Sequence, residues 1–269
     1  MIDEPDTEDR RKPNRRTVDR RRQLKQWLRE HADSASVAEI VTEFGVSEAT
    51  IRRDLLALSQ SGDIQRVYGG AIAGSPIEFS WREKASTHAK DKTRIGVFCA
   101  DKLVSAGDVV FIDSGTTPAA VARAISSRDD VTVIVGGLAA LLELADGKPD
   151  VLVLGGALRR RSASFIGAHA ETLIDHIRPD VAFLGTDHLD PELGANYPDL
   201  AQALFKTNIV RRAQQSWFVV DESKFQGSPR FANWTPLTAQ TGIVTTRSAT
   251  TERMRDVYAK RGITVEFAS

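Results

Sequence analysis

The sequence predicts an α/β chain in two parts: a small helical N-terminal unit, then a doubly wound, mainly parallel α/β domain. Three observations carry this expectation. The chain has 269 residues, room for two modest domains at about 150 residues each. Residues 17–60 hold short helical stripes punctuated by glycine and serine. From Asp91 onward, runs rich in valine and isoleucine alternate with helical stretches, as they do where helices cover both faces of a parallel sheet.

Composition narrows the class. Hydrophobic residues make up 41% and charged residues 27%, which is ordinary for a globular protein and argues against disorder. Cys99 stands alone and there are five histidines, so neither a disulfide nor a zinc cluster is expected, and no cofactor is implied. No apolar run approaches the roughly 18 residues of a membrane span. The first residues are acidic rather than basic and then apolar, so no secretory signal is expected and the cytoplasm is the expected setting.

Net charge is zero, but its distribution is uneven. Residues 10–29 carry ten bases against Asp19, a block that draws a phosphate backbone by releasing condensed counterions. Residues 1–16 read as a disordered charged tail. Residues 17–31 form a helix with Val18, Leu24, Trp27 and Leu28 on its apolar side. Ser36 and Glu39 have the spacing of a capping box. Val37, Ile40, Val41 and Phe44 then make one helical stripe, which Gly45 ends. Ser47 caps a third helix, buried through Ile51, Leu55 and Leu58. At about 100° per residue, Ala49 and Arg53 fall on the opposite side, with Thr50 and Arg52 flanking them. Two short helices about a glycine turn make a helix-turn-helix. Its second helix presents arginine, which can donate two hydrogen bonds to guanine. Glu48 and Arg52 also have the spacing of a surface helix pair. Residues 63–72 suit a short hairpin ending at Gly69-Gly70.

Ser47-Glu-Ala-Thr-Ile-Arg-Arg-Asp-Leu55, with Arg66-Val-Tyr-Gly-Gly-Ala71, closely resembles the winged helix-turn-helix of DeoR-family bacterial transcription regulators. The resemblance runs over about residues 20–73. It implies that Ser47, Thr50, Arg52 and Arg53 enter the major groove of double-stranded operator DNA. It also implies that Arg66 and Tyr68, on the wing, touch backbone or minor groove; Tyr68 stands where the family commonly has histidine. The DNA-binding domain is expected over 17–73, with the helix-turn-helix at about 36–55. Residues 74–90 are expected to be a linker, with Phe79 and Trp81 docked on its neighbours.

In the second domain, 91–269, strands are expected at 109–113, 131–135, 151–154, 181–185, 217–221 and 243–245. Helices are expected at about 92–104, 117–126, 138–146, 168–176, 199–213 and 250–261. A ligand in such a domain sits at the carboxyl ends of the strands. There Asp113-Ser-Gly-Thr-Thr117 opens a helix, so backbone N–H groups and hydroxyls converge as an anion site. Gly136-Gly137, Gly155-Gly156, Asp187 and Asp221-Glu-Ser-Lys-Phe225 follow later strands. The Arg159-Arg160-Arg161 run could meet such an anion but reads first as a solvated loop; Tyr197 and Trp234 could pack against a sugar face but read first as core or interface aromatics.

These loops resemble the sensor domain of the same family, which is similar in fold to sugar-phosphate isomerases and coenzyme A transferases. The resemblance implies that a phosphorylated sugar or related metabolite contacts Asp113, Ser114, Gly115, Thr116 and Thr117, and also Gly155, Gly156, Asp187, Lys206 and Lys224. Three positions depart from the family: Gln202 where an acid is usual, Gly136-Gly137 for Thr-Asn, and Ala195-Asn-Tyr197 for small hydroxylated residues. They suggest a ligand with a familiar anionic end and an unfamiliar body.

The leading expectation is a DNA-binding transcriptional regulator, a repressor of a carbohydrate catabolism operon released by a phosphorylated metabolite. Paired half-sites imply a homodimer or homotetramer. The alternative is a sugar-phosphate isomerase-like enzyme carrying a DNA-binding module, with Asp113, Asp187 and Asp221 as candidate carboxylates. A second domain serving only to oligomerise would have no need of an anion loop.

Overall fold

The computed structural model describes residues 15–30, 35–60, 71–72, 78–226 and 231–269. The chain divides into two compact units, Met1–Ile77 and Glu78–Ser269.

In the first unit, α1 (Arg15–Glu30) precedes β1 (Ala35–Ser36), α2 (Val37–Phe44), α3 (Glu48–Gln60) and β2 (Ala71–Ile72). The local chemistry is the expected one at α2. Ser36 and Glu39 close a reciprocal capping box, and Gly45 ends the helix in the left-handed region at φ 60°. The three helices bury one small core of Leu24, Leu28, Val37, Ile40, Ile51, Leu55 and Leu58. A buried carboxylate joins it: Asp54 on α3 accepts from Arg20 and Arg21 on α1 at 2.7 and 2.8 Å. Part of the basic block is thus spent inside the fold. β1 and β2 pair antiparallel, Ala35 opposite Ile72. The rest of the expected 63–72 hairpin, with Arg66 and Tyr68, lies outside the described residues, as do residues 1–14 of the N-terminal tail and residues 73–77 of the expected linker.

The second unit begins with α4 (Trp81–Ser86) and α5 (Ala89–Lys102). It continues through β3 (Val109–Ile112), α6 (Thr116–Ile125), β4 (Thr132–Val135), α7 (Leu138–Leu144) and β5 (Asp150–Val153). A hairpin follows, β6 (Ala157–Arg159) and β7 (Ser164–Ile166), then α8 (Ala168–Asp175) and β8 (Val181–Leu184). Next come β9 (His188–Asp190), β10 (Gly194–Tyr197), α9 (Leu200–Arg212), β11 (Gln215–Val219) and β12 (Asn233–Thr235). The chain ends with β13 (Thr241–Thr246), α10 (Ala249–Ala259) and β14 (Thr264–Ala268).

Seven strands make one sheet in the order β14-β13-β11-β8-β3-β4-β5, every pair parallel. Alternate residues of each strand feed opposite cores, because side chains alternate across a strand. Val110, Ile112, Val133 and Phe183 pack with Ile95, Val121 and Ala140 of α5, α6 and α7. Phe111, Ile134, Ala182 and Phe218 pack with Ile174, Ile209 and Tyr258 of α8, α9 and α10. The chain winds outward from β3 in one direction and from β8 in the other, so the switch point lies between these two strands.

Three expectations need correction. Residues 78–90 are not a linker but part of the second unit. Ser80 and Glu83 form a capping box that starts α4, and the Trp81 N–H donates to the Arg161 carbonyl at 2.9 Å. β5 is not covered on both faces: it is an edge strand with Leu152 and Val153 exposed. Finally, β14 forms a seventh strand at the other edge, and β9, β10 and β12 form a separate antiparallel sheet.

Candidate functional site

The first candidate surface is α3. Ile51, Asp54, Leu55 and Leu58 are buried, while Glu48, Ala49, Arg52 and Arg53 are exposed. Ser47 is used locally: its Oγ lies 2.9 Å from the Thr50 Oγ1 and accepts from the Thr50 N–H at 3.3 Å. Arg52 Nε donates to Glu48 at 2.7 Å, the surface pairing its spacing allows. Arg53 has no ion pair among the described residues. The helix therefore offers one guanidinium at once and a second after exchange of an exposed partner.

The second candidate lies at the switch point, where the ends of β3, β8 and β11 open into a cleft of roughly 650 Å³ including its mouth. Ser114, Gly115, Thr116 and Thr117 line one wall. Gly115 holds φ 133° at the N-cap of α6, and no side chain caps this helix. The α6 N-terminus thus aims its first N–H groups and its partial positive charge at the cleft. Pro118 at the third helical position has no donor to lose.

The other walls carry paired charges. Lys206 Nζ donates to Asp113 at 2.7 Å and to the Gly185 carbonyl at 3.1 Å, over the Tyr197 ring. Lys84 pairs with Asp187. Lys92 donates to the carbonyls of Lys84 and Thr87. Asp221 accepts from the Ser223 N–H at 3.1 Å. Burial pushes the Lys92 ammonium down to about 8, Asp221 holding it up while Lys224 and Lys84 lower it further. Burial pushes Asp187 up, but Lys84, Lys224 and Lys206 together keep its carboxyl below the usual range. Asp221 behaves likewise, with Lys224 the strongest opposing cation.

The expected ligand residues divide. Ser114, Gly115, Thr116, Thr117, Asp187, Lys206 and Lys224 line the cleft. Asp113 lies beneath it, 1% exposed, bound to Lys206 and to the Gly185 N–H at 2.9 Å. Gly155 and Gly156 do not line it. Both have positive φ, 70° and 91°, and they turn the chain from β5 into β6, where a Cβ on Gly156 would meet the Ile166 carbonyl at 2.5 Å. Tyr197 lines the cleft as well as the core, its hydroxyl donating to Gly185 at 2.9 Å. Trp234 is half-buried on β12. Arg159 is not solvated: Glu78 binds its guanidinium from both carboxylate oxygens. Gly137 has a steric reason to be glycine, since a Cβ there would lie 2.6 Å from the Ser114 Cβ.

Glu78, Trp81, Lys84, Thr87 and Lys92 also line the cleft; the linker assignment hid the first four, while Lys92 fell at the start of the expected helix 92–104 without being read as a site residue. Ser80-Trp-Arg-Glu83 is the signal that announces their helix. The isomerase alternative requires a carboxylate with a raised pKa. Asp187 and Asp221 are instead shifted downward and engaged with cations. Among the described residues no cluster of His, Cys, Asp and Glu is placed to hold a metal ion. No helix there is long and apolar enough to cross a membrane.

A helix-turn-helix in the first unit and a charged cleft at the sheet switch point of the second are the fold of a two-unit regulator of the DNA-binding class. Sequence comparison places the chain in a family. Residues 20–76 match the DeoR-like helix-turn-helix domain and residues 87–247 the DeoR C-terminal sensor domain. The chain belongs to the DeoR family of transcriptional regulators. It is 33% identical over 193 residues to the glycerol-3-phosphate regulon repressor of Escherichia coli K12, covering 71% of this chain and 76% of that one. It is 32% identical over 196 residues to the lactose phosphotransferase system repressor of Lactococcus lactis, with coverage of 71% and 76%. The full-length sorbitol operon regulator SorC of Klebsiella pneumoniae aligns over 90% of this chain and 100% of its own, at TM-score 0.39 and 14% identity.

Proposed function

We propose that this protein represses a carbohydrate catabolism operon and is released from its operator when a phosphorylated sugar or related metabolite occupies the switch-point cleft. The observation that carries the reading is the uncapped N-terminus of α6, ringed by Lys84, Lys92, Lys206 and Lys224. The dipole and the ammonium groups suit a dianion. Relatives named as repressors of glycerol-3-phosphate and lactose phosphotransferase genes support a phosphorylated inducer. Thr50, Arg52 and Arg53 read base edges, with Ser47 at the helix start near the backbone; Arg66 and Tyr68 serve the wing. A homodimer or homotetramer supplies paired half-sites, and the protein works in the cytoplasm, where its operator is. Release requires that the ligand bind the DNA-competent and DNA-free states with different affinity.

Fluorescence anisotropy on DNA from the gene's own neighbourhood, at fixed salt and with a panel of sugar phosphates, tests this. Specific binding relieved by one phosphorylated compound is expected. Specific binding that no phosphate relieves would overturn the inducer class, and no specific binding would overturn the whole reading.

A further inference from the structure

On the reading of the switch-point cleft as the ligand site, we propose that Gln202 faces the ligand as a hydrogen-bond donor, held in that orientation by Arg159. The protein therefore selects a phosphorylated sugar whose body bears an oxygen that only accepts, a carboxylate or a carbonyl. Gln202 is 4% exposed and lines the cleft one helical turn before Lys206. Arg159 stands behind it and is itself fixed. Glu78 binds its Nη1 and Nη2 on β6, Ser162 accepts from Nη1 at 3.1 Å, and Asp199 lies 3.7 Å from Nε. A guanidinium only donates. The hydrogen-bond network accordingly turns the Gln202 carbonyl oxygen toward Arg159, where it accepts from Nη1 and Nε at 3.2 Å each. With its oxygen held there, the amide turns its two N–H donors away from Arg159, and the residue lines the cleft. A glutamate at this position would present acceptors there instead. With Lys206 one turn further on, this helix presents an amide and an ammonium, both donors, to the cleft, so an oxygen that only accepts, a carboxylate or carbonyl, matches it better than a hydroxyl that must also donate.

The test measures binding of matched ligand pairs by calorimetry on the full chain. The pairs are 6-phosphogluconate against sorbitol 6-phosphate, and erythronate 4-phosphate against erythritol 4-phosphate, with inorganic phosphate as reference. The wild type is expected to favour the acid of at least one pair by about tenfold or more. Gln202→Met removes the donors without adding charge, so the lysine field is unchanged and the preference should fall at least fivefold. Gln202→Glu should abolish or reverse it. Arg159→Met paired with Glu78→Gln, which leaves no unpaired carboxylate at the cleft, frees the amide to rotate and should lower the preference. Phosphate binding without any acid preference, or a preference untouched by Gln202→Met, would overturn this inference alone. Failure of the wild type to bind phosphate or any of the four ligands would overturn the anion-cleft reading, and this inference with it.

Discussion

Occupation of the proposed cleft by a dianion is expected to be proton-linked through Lys92. Lys92 is 5% exposed and its ammonium is lowered to about 8, chiefly by burial. Asp221 is the anion facing it, and Lys84 and Lys224 are the cations. In the unfolded chain a lysine titrates near about 10.4. Between about pH 8 and 10.4 the unfolded state therefore binds more protons than the folded one, and stability rises with pH across that window. The full difference, roughly 2.5 units, corresponds to about 3 kcal/mol of charge burial carried below pH 8 and relieved above pH 10. A dianion in the cleft reverses the balance by returning a counter-charge to the ammonium. At pH 8.5 about three-quarters of free Lys92 is neutral, so a ligand that lifts its pKa above about 10 draws in about 0.7 proton per site. Calorimetry in two buffers of different ionisation enthalpy measures that uptake directly. Affinity should fall by up to about tenfold per pH unit above 8, and Lys92→Met should remove the linkage. A binding enthalpy identical in both buffers at pH 8.5 would refute the reasoning.

Three further outcomes are expected. Arg53→Ala should lose about 1–3 kcal/mol of preference for operator over random DNA, read by competition anisotropy, while nonspecific binding is nearly retained. Asp54→Asn should destabilise the first unit by about 2 kcal/mol, since Arg20 and Arg21 lose their buried carboxylate; thermal unfolding measures it. Gly96→Ala should destabilise the second unit by about 2 kcal/mol despite alanine's helix preference, because its Cβ would lie 2.3 Å from the Ala120 carbonyl. An unchanged melting temperature would show that α5 and α6 can separate freely.

The elements readable from the chain were those whose signal is local. Ser36, Glu39 and Gly45 bracket α2 by chemistry within ten residues of one another. The strands β3, β4, β8, β11 and β13 declare themselves by apolar runs. β9, β10 and β12 carry no such run: His188-Leu-Asp and Asn233-Trp-Thr are strands because each pairs with β10 between them, not because of their own pattern. Leu152 and Val153 have the composition of a central strand, yet β5 is an edge; strand order is a property of the whole sheet.

The same division holds at the cleft. Asp113-Ser-Gly-Thr-Thr117 is contiguous, so its place at a strand-to-helix turn is legible from the sequence alone. Its surroundings were settled by tertiary structure. Lys84 reaches Asp187 across 103 positions of sequence and Arg159 reaches Glu78 across 81. No periodicity links such pairs, because a side chain meets a distant partner only once the fold has brought their two segments together. Periodicity and capping act within a turn or two of backbone and are written in adjacent residues. Which lysine faces which carboxylate, and which way Gln202 turns its amide, is decided by packing between segments.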